Sequence, residues 1–396
     1  MTGRQTRITI VAHALRAGGG ISVGKNLILS LTGKKPDAHY QIFIPPNLGY
    51  ENIPAAGTRC EFIPYTPTFG LVGRWFYDKT RLIQQIAEFS PDIVLCLGNV
   101  AVEKDIAPQI LLVQDSHLFY PQRHYSRESP RSRMIYRYKQ HRFAQSLKRC
   151  CVLLCQTETA KRRIQQHYHY RGDMVILPNS LSVDSISGAR SDAPKPDGDS
   201  FRMIYLTRYY PHKNLEIFLD LFAKYREQLD NVVLFTTIAP EQHKGARAFL
   251  EAVSARKLEK HIVNLGPVDQ RDIAAMFGSM DALVMPSTLE SFSGAYLEAM
   301  AFDCPILTSD LDFAHEVCGD AALYFDPWSV DSLFSTLRYA IDNPQERKRL
   351  AATGRDNLSK NSQSWDQNVD ALIAVIERQL ARSEADTANR ILTSSR

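Results

Sequence analysis

The 396-residue sequence lacks several features that would place it in a special class of protein. No run approaches the roughly 18 apolar residues that a membrane-spanning helix needs. No apolar leader precedes the first strand-like segment, residues 8–11, so we expect a cytoplasmic protein. The seven cysteines are odd in number and fit neither a disulfide framework nor a zinc motif, and Cys96, Cys151 and Cys155 lie in apolar runs typical of buried thiols.

Neither sign of charge dominates, because 47 Lys and Arg residues stand against 43 Asp and Glu residues. The formal net charge of +4 does not argue for a nucleic-acid partner. The exception is the segment 123–149, where nine Lys or Arg residues stand against one acid, Glu128, with aromatic residues between them. This pattern is typical of a solvated helix. It is also compatible with contact with an anionic membrane surface, at about 1 kcal/mol per basic residue. Both interpretations stay open.

The apolar runs that are present alternate with helical patterns in two halves of similar size. At this length two domains are expected, and the alternation predicts an α/β fold of two Rossmann-like, doubly wound domains that face each other across a cleft. A stretch rich in Ser, Asp, Gly and Pro separates the halves. The predicted division is an N-terminal domain over 1–180, a linker over 181–200, a C-terminal domain over 201–364, a helix over 365–382 that packs back towards the N-terminal domain, and a tail over 383–396.

In the first half, strand 7–13 leads into Gly18-Gly19-Gly20 and a helix, an arrangement in which backbone can approach a phosphate or sugar closely. The three-glycine dinucleotide fingerprint is missing, so a plain flexible turn is an equal alternative. Another strand, 109–113, ends in Gln114, Asp115 and His117. Since open α/β sheets bind ligands at the carboxyl ends of their strands, these residues are site candidates.

In the second half, the apolar run 283–285 is ended by Pro286 and followed by a small-residue loop and a helix that carry Glu290 and Glu298. Free N–H groups at a helix start suit a phosphate, and carboxylates accept hydrogen bonds from hydroxyls. Arg208 and Lys213 follow another strand and could neutralise a diphosphate. Together these features predict a nucleotide-sugar site.

The second half resembles the retaining glycosyltransferases of family 4, which have the GT-B fold. The resemblance covers most of residues 200–380. Its most specific part is Pro286-Ser287 with Glu290 and Glu298, and its other parts are Arg208 with Lys213, Gly266-Pro267-Val268, and the Glu-Val-x-Gly-Asp element at 316–320. In the first half, Gly18–Gly20 and Leu177-Pro178-Asn179 resemble family elements as well.

The resemblance implies a metal-independent enzyme that transfers a sugar from a GDP- or UDP-sugar to a hydroxyl of a saccharide or lipid-linked acceptor, with retention of configuration, in the synthesis of cell-surface polysaccharide or lipopolysaccharide. Its acceptor side would be the N-terminal domain. It implies no cofactor besides the donor substrate, and a peripheral position on the inner membrane face is compatible with it. The implied catalytic residues are Arg208, Lys213 and Glu290, and the implied donor-binding residues are Gly19, Gly20, Gln114, His117, Pro267, Val268, Phe292, Ser293, Gly294, Ala295 and Glu298.

Four places depart from the family pattern. Ser293 stands where the family prefers glycine, Thr207 replaces the usual glycine before Arg208, and Asp303 replaces the usual glycine before Cys304. Gln114-Asp115 replaces a His-Asp pair, with a histidine at 117 instead. Whether Gln114 or His117 contacts the donor sugar stays open. A nucleotide-sugar epimerase of the same fold is one alternative, but its chemistry would need further acid/base carboxylates or histidines in the first half, and none stands out there. A non-catalytic two-domain binding protein is another alternative, but it would have little use for the set of Arg208, Lys213, Glu290 and Glu298.

Overall fold

The computed structural model describes residues 5–54, 59–68, 70–181, 200–361 and 363–394. The chain divides into two compact units. Unit 1 consists of Met1–Phe119, Met134–Asn179 and Gln363–Arg396, and unit 2 consists of Tyr120–Arg133 and Ser180–Ser362. The predicted linker lies, except for its first and last residues, outside the described part of the chain.

Unit 1 is built on a parallel sheet of seven strands, which stand in the spatial order 3-2-1-4-5-6-7. The chain therefore starts in the middle of the sheet and winds first to one edge and then to the other. This reversal places a topological switch point between the first and fourth strands. The strands are β1 (Arg7–Val11), β2 (His39–Ile44), β3 (Arg59–Pro64), β4 (Ile93–Cys96), β5 (Gln109–Val113), β6 (Cys150–Cys155) and β7 (Asp173–Ile176).

Unit 2 repeats the design with six parallel strands in the spatial order 10-9-8-11-12-13. Its switch point lies between the eighth and eleventh strands. The two parallel sheets confirm the prediction of two Rossmann-like domains. The strands are β8 (Phe201–Tyr205), β9 (Val232–Thr236), β10 (Ile262–Asn264), β11 (Ala282–Met285), β12 (Ile306–Ser309) and β13 (Ala322–Phe325).

Helices connect these strands, as crossovers between parallel neighbours require. Short 3₁₀ turns lie at Ser116–Leu118, Gln122–Tyr125, Pro211–Lys213, Gln270–Asp272 and Gly319–Ala321. The α-helices of the described residues are α1 (Gly19–Lys34), α2 (Gly70–Lys79), α3 (Arg81–Phe89), α4 (Pro130–Leu147), α5 (Glu158–Tyr168), α6 (Glu216–Lys224), α7 (Lys244–Ala255), α8 (Ile273–Gly278), α9 (Gly294–Ala301), α10 (Asp312–Cys318), α11 (Val330–Asp342), α12 (Pro344–Asn361) and α13 (Trp365–Ser394).

The long C-terminal helix α13 completes the core of unit 1. Trp365, Val369, Leu372 and Ile376 are buried in the same apolar cluster as strands β1, β2 and β4. Ion pairs fasten its outer side to the end of α1, from Lys34 to Asp370 at 2.6 Å and from Lys35 to Glu377 at 3.1 Å. The helix runs to Ser394, so the expected tail from 383 is wrong, because no glycine or proline stands between 366 and 394 to end the helix.

The predicted boundary of the N-terminal domain is wrong at one segment. Residues 120–133 belong to unit 2, although the sequence places them in the middle of the first half. Tyr120 donates a hydrogen bond to Asp312 at 2.9 Å, and Arg127 pairs with Glu216 at 3.3 Å. Such long-range contacts leave no trace in local periodicity.

The sequence pattern does not predict edge strand β3 either. Its residues are half-buried or exposed and include Arg59 and Glu61, so they form no apolar run.

Among the described residues, no helix is both long enough and apolar enough to span a membrane.

A close contact in α1 gives a test of the packing of unit 1. A Cβ added to Gly24 would lie 2.6 Å from the Tyr50 hydroxyl oxygen and 2.7 Å from Leu15 Cδ1. The Tyr50 hydroxyl is held in place because it donates to the carbonyls of Leu15 and Ile21. We expect Gly24→Ala to lower the free energy of unfolding by about 1–3 kcal/mol in urea denaturation.

The matched control is Gly33→Ala in the same helix, where an added Cβ meets nothing within 4 Å. Because alanine favours helix over glycine, that change should leave stability unchanged or raise it by up to about 1 kcal/mol. Equal effects of the two substitutions would contradict the described packing.

Candidate functional site

The loop after β11 carries Glu290 and begins next to the switch point of unit 2. Strand β11 is buried throughout, and Pro286 ends it. The residues from Ser287 to Glu290 remain buried, and Glu290 is only 8% exposed. Helix α9 follows, so Glu290 lies before the helix and Glu298 lies half-buried on it.

The loop after β8 lies on the other side of the same switch point and carries Arg208 and Lys213. Tyr205, the last residue of β8, donates a hydrogen bond from its hydroxyl to the Lys213 carbonyl at 3.0 Å and contacts the Ser287 hydroxyl at 2.7 Å. Burial, with the nearby Glu290 carboxylate, raises the pKa of Tyr205 well above its usual value. The phenol therefore stays protonated and can hold the two loops together.

The side chain of Asn214 also links these two loops. It adopts a left-handed backbone conformation, with φ of 58°, which asparagine tolerates better than most residues. Its side-chain amide donates to the carbonyl of Pro286 at 3.1 Å and to that of Pro327 at 2.7 Å. The position of Lys213 is thus fixed relative to the loop of Glu290.

These constraints bring Lys213 and Glu290 into an ion pair. The distance from Lys213 Nζ to Glu290 Oε1 is 2.5 Å, and the two side chains are 15% and 10% exposed. The residues are 77 positions apart in the sequence. Arg208 is exposed at the start of the same loop, whose backbone is held by hydrogen bonds between Thr207 and Thr237 at 3.0 and 3.1 Å.

The segment 120–128 braces this arrangement and was missed by sequence reasoning. His124 Nδ1 lies 2.9 Å from the carbonyl oxygen of Thr288, and the Thr288 hydroxyl donates to the His124 carbonyl at 2.6 Å. Since a carbonyl only accepts, Nδ1 must carry the proton. Thr288 also donates its N–H to the His212 carbonyl at 2.8 Å. Thr288, two residues before Glu290, therefore connects the Glu290 loop to the segments that contain His124 and His212.

The start of α9 accommodates Ser293 without strain. Ser293 is the N-cap, with φ of −105° and ψ of 119°, a conformation open to any residue. Its side chain makes no capping hydrogen bond, and Gly294 has open space around it. The first N–H groups of a helix have no partner within the helix, so those near Gly294 and Ala295 can bind an anion.

The remaining predicted donor residues of unit 2 occupy two places. Phe292 is half-buried in the loop before α9. Pro267 is exposed and Val268 half-exposed in the loop after β10, where Gly266 has φ of 74°. That positive φ is the physical reason for a glycine before this loop.

In unit 1, the predicted residues Gly19, Gly20, Gln114 and His117 follow strands β1 and β5. Gly19 and Gly20 are the first residues of α1, and an added Cβ at Gly19 would meet nothing within 4 Å. Gln114 is half-buried, and its amide donates to the Leu97 carbonyl at 3.2 Å.

His117 is buried in a network rather than open. Its ring stacks on Tyr136 with centroids 3.9 Å apart, and its Nδ1 lies 2.9 Å from Asp115 Oδ1. Lys139 contacts the other oxygen of Asp115 at 3.0 Å. Burial opposes ionisation of Asp115, but the hydrogen bond from His117 and the charge of Lys139 outweigh it and lower the pKa of the carboxyl.

A pocket of about 210 Å³ lies at the switch point of unit 1 and contains residues that sequence reasoning missed. It is lined by His13 after β1, Gly98 after β4, and Asp78 and Glu103. Burial, with the charges of Arg16 and Arg74, lowers the pKa of His13 to about 3, so its ring is neutral at physiological pH. The signal that could have found His13 is its place two residues beyond a buried strand.

Comparison with known proteins agrees with this geometry. Residues 189–357 match the family model described as Glycosyl transferases group 1. The chain is 31% identical over 192 residues to the phosphatidyl-myo-inositol mannosyltransferase of Mycobacterium leprae. These residues make up 48% of this chain and 50% of that protein. It is 23% identical over 225 residues to the O-antigen chain mannosyltransferase RfbU of Salmonella typhimurium. These residues make up 56% of this chain and 60% of RfbU. The match thus spans about half the length of these relatives.

Solved structures share the fold over nearly the whole chain. The sucrose-phosphate synthase of Thermosynechococcus elongatus has a TM-score of 0.72 at 14% identity, covering 96% of this chain and all of that one. WaaG, a glycosyltransferase involved in lipopolysaccharide biosynthesis, has a TM-score of 0.70 at 15% identity, covering 93% and 99%. The chain has the GT-B fold, and residues 189–357 in its second half are similar to the group 1 glycosyltransferases.

Proposed function

We propose that this protein is a retaining glycosyltransferase that moves a sugar from a GDP- or UDP-sugar to a hydroxyl of a saccharide or lipid-linked acceptor. The observation that carries the proposal is the ion pair of Lys213 with Glu290 at the switch point of unit 2, where Lys213 shares its loop with Arg208. The names of the two mannosyltransferase relatives favour a mannosyl donor and a role in cell-surface polysaccharide or lipopolysaccharide synthesis.

The charged groups suggest how the leaving group is stabilised. Arg208 and Lys213 would neutralise the diphosphate as the bond to the sugar breaks, aided by N–H groups at the start of α9. Preorganised charge at the place where negative charge develops usually contributes more to catalysis than any other single effect. Because two cations supply this charge, we propose that transfer needs no metal and that a chelator leaves the rate unchanged.

The carboxylates would orient the donor. Glu290 would accept hydrogen bonds from hydroxyls of the donor sugar, and Glu298 would bind the ribose. Pro267 and Val268 would contact the base, and Phe292 would also contact the donor. An ion-paired Glu290 is a poor nucleophile, so we assign it binding rather than covalent attack. Retention would follow from reaction on one face of the sugar, with the leaving phosphate taking the acceptor proton.

Unit 1 would supply the acceptor side, and its contacts with the donor through Gly19, Gly20, Gln114 and His117 stay a prediction. The pocket at its switch point supports an acceptor site there. Within the described residues, the buried Nδ1 of His13 has no hydrogen-bond partner, although His13 lines this pocket. A neutral imidazole nitrogen can exchange a hydrogen bond with an acceptor hydroxyl.

A peripheral membrane position is proposed from the exposed side chains of unit 1. Met134, Ile135 and Tyr138 on α4 are 66%, 44% and 54% exposed, and Trp75 and Phe76 on α2 are 48% and 61% exposed. Glu103 connects the two helices, since it pairs with Lys79 at 3.2 Å and with Arg142 at 2.8 Å. Apolar side chains among cations suit the interface of an anionic bilayer.

Glu290→Gln tests the proposed catalytic role. The substitution keeps the size of the side chain but removes the charge, so we expect transfer to fall by about 100-fold or more. Transfer is measured with the nucleotide sugar that most raises the unfolding midpoint in a screen, since only ligands of the native state do so. The configuration of the product, read by NMR, tests retention.

The matched control is Glu259→Gln, which changes an exposed acid of the same unit. Its rate should equal that of the unmodified protein. Near-normal turnover of Glu290→Gln, with an unchanged unfolding midpoint, would contradict the assignment of Glu290.

Flotation with phosphatidylglycerol vesicles tests the membrane contact. We expect binding that weakens as salt rises, because surface charges are screened, and that falls several-fold in the double variant Met134→Ser, Ile135→Ser. Tyr339→Ser, which removes a 48% exposed aromatic residue from unit 2, is the control. Equal binding to vesicles of neutral lipid would count against the proposed surface.

A further inference from the structure

A second pocket, of about 460 Å³, lies in unit 2, whereas the first lies in unit 1. Its lining does not include Arg208, Lys213 or Glu290. One wall is the segment from Arg127 to Ser132, and another is the start of α7. The third is Tyr209 and Pro211, which belong to the loop after β8, with Glu216 of α6. Its volume falls within the roughly 300–1,000 Å³ of small-molecule sites.

The charges that line this pocket balance. Arg127 Nη1 lies 3.3 Å from Glu216 Oε2, and Tyr209 donates from its hydroxyl to Glu216 Oε1 at 2.5 Å. Lys244 is exposed at the start of α7, whereas the Glu128 side chain is only 5% exposed and its Oε1 lies 3.8 Å from His212 Nδ1. A bound anion would be repelled by the Glu216 carboxylate, and a bound cation would be repelled by Arg127 and Lys244. The lining therefore favours an uncharged polar ligand over either ion.

The same groups suit hydroxyls in particular. Carboxylates accept from hydroxyls, and guanidinium and ammonium groups donate to them. His243 Nδ1 accepts the N–H of Gly245 at 2.9 Å, so the neutral ring carries its proton on Nε2 and can donate as well. The pocket thus offers both donors and acceptors, as a ligand with several hydroxyls requires.

An aromatic surface accompanies these polar groups. The rings of Tyr209 and His243 lie nearly parallel, with centroids 5.3 Å apart and an interplanar angle of 20°. Tyr209 is only 6% exposed and supports the half-exposed His243 ring, against which the C–H face of a pyranose can pack.

This surface depends on a glycine. A Cβ at Gly245 would lie 2.4 Å from Tyr209 Cε1, so only glycine lets the Tyr209 ring lie against the start of α7. On the opposite wall, Ser129 accepts the N–H of Ser132 at 3.1 Å and holds the start of α4.

We propose that this pocket binds an uncharged saccharide unit, separately from the nucleotide-sugar site. The site would hold a sugar of a larger glycan without taking part in bond breaking. The inference does not rest on the proposed transfer, because it needs neither a nucleotide nor Glu290.

Saturation-transfer NMR with the methyl glycosides of mannose, glucose and N-acetylglucosamine, each without nucleotide, tests the proposal. We expect at least one glycoside to bind and a nucleoside diphosphate at saturation not to displace it. His243→Asn keeps an N-cap acceptor but removes the ring, and should weaken binding at least fivefold. Glu216→Gln, which removes one lining charge, should also weaken it.

Two controls separate this pocket from other sites. Arg247→Ala changes an exposed residue of α7 outside the pocket, and Glu290→Gln changes the proposed donor site; both should leave glycoside binding unchanged. The proposal is overturned if no glycoside binds at tens of millimolar, or if both pocket variants bind normally. It is also overturned if Glu290→Gln abolishes binding, or if inorganic phosphate or glucuronate binds more tightly than the neutral glycosides.

Discussion

The ion pair between Lys213 and Glu290 is the interaction on which the proposed donor site depends. It joins the loops that follow β8 and β11, the two strands on either side of the switch point. Both groups are largely withdrawn from water, so removing either one would leave the other charge poorly compensated. The pair also fixes where a cation and a carboxylate lie before any ligand arrives, which is the preorganisation that charge stabilisation requires.

The fold maintains this pair through contacts between segments that are distant in sequence. Tyr205 and Asn214 hold the Lys213 loop against the strand end at Pro286, and Thr288 ties the Glu290 loop to the backbone of His124 and His212. The segment around His124 also builds the second pocket, because Arg127 and Glu128 line it. One crossing segment therefore supports the donor site and creates a separate place for a ligand.

The sequence predicted the alternating strands, the two sheets and the strand-end positions of Arg208, Lys213 and Glu290, because these follow from apolar runs and the residues that end them. It could not predict that residues 120–133 pack with the second unit, since that depends on contacts such as His124 with Thr288 across 164 positions. It also missed His13 and the pocket around Tyr209 and His243, whose lining comes from several separate segments. The serine at 293 causes no strain, because its backbone conformation does not require glycine.

If the loops after β8 and β11 form a diphosphate site, calorimetry will detect the binding of a nucleoside diphosphate there. GDP and UDP are titrated into the protein beside guanosine and uridine, and into the double variant Arg208→Ala, Lys213→Ala. We expect one diphosphate to bind at least tenfold more tightly than its nucleoside and the variant to lose this difference. A diphosphate that binds no better than its nucleoside, or that binds the variant with unchanged affinity, would contradict it.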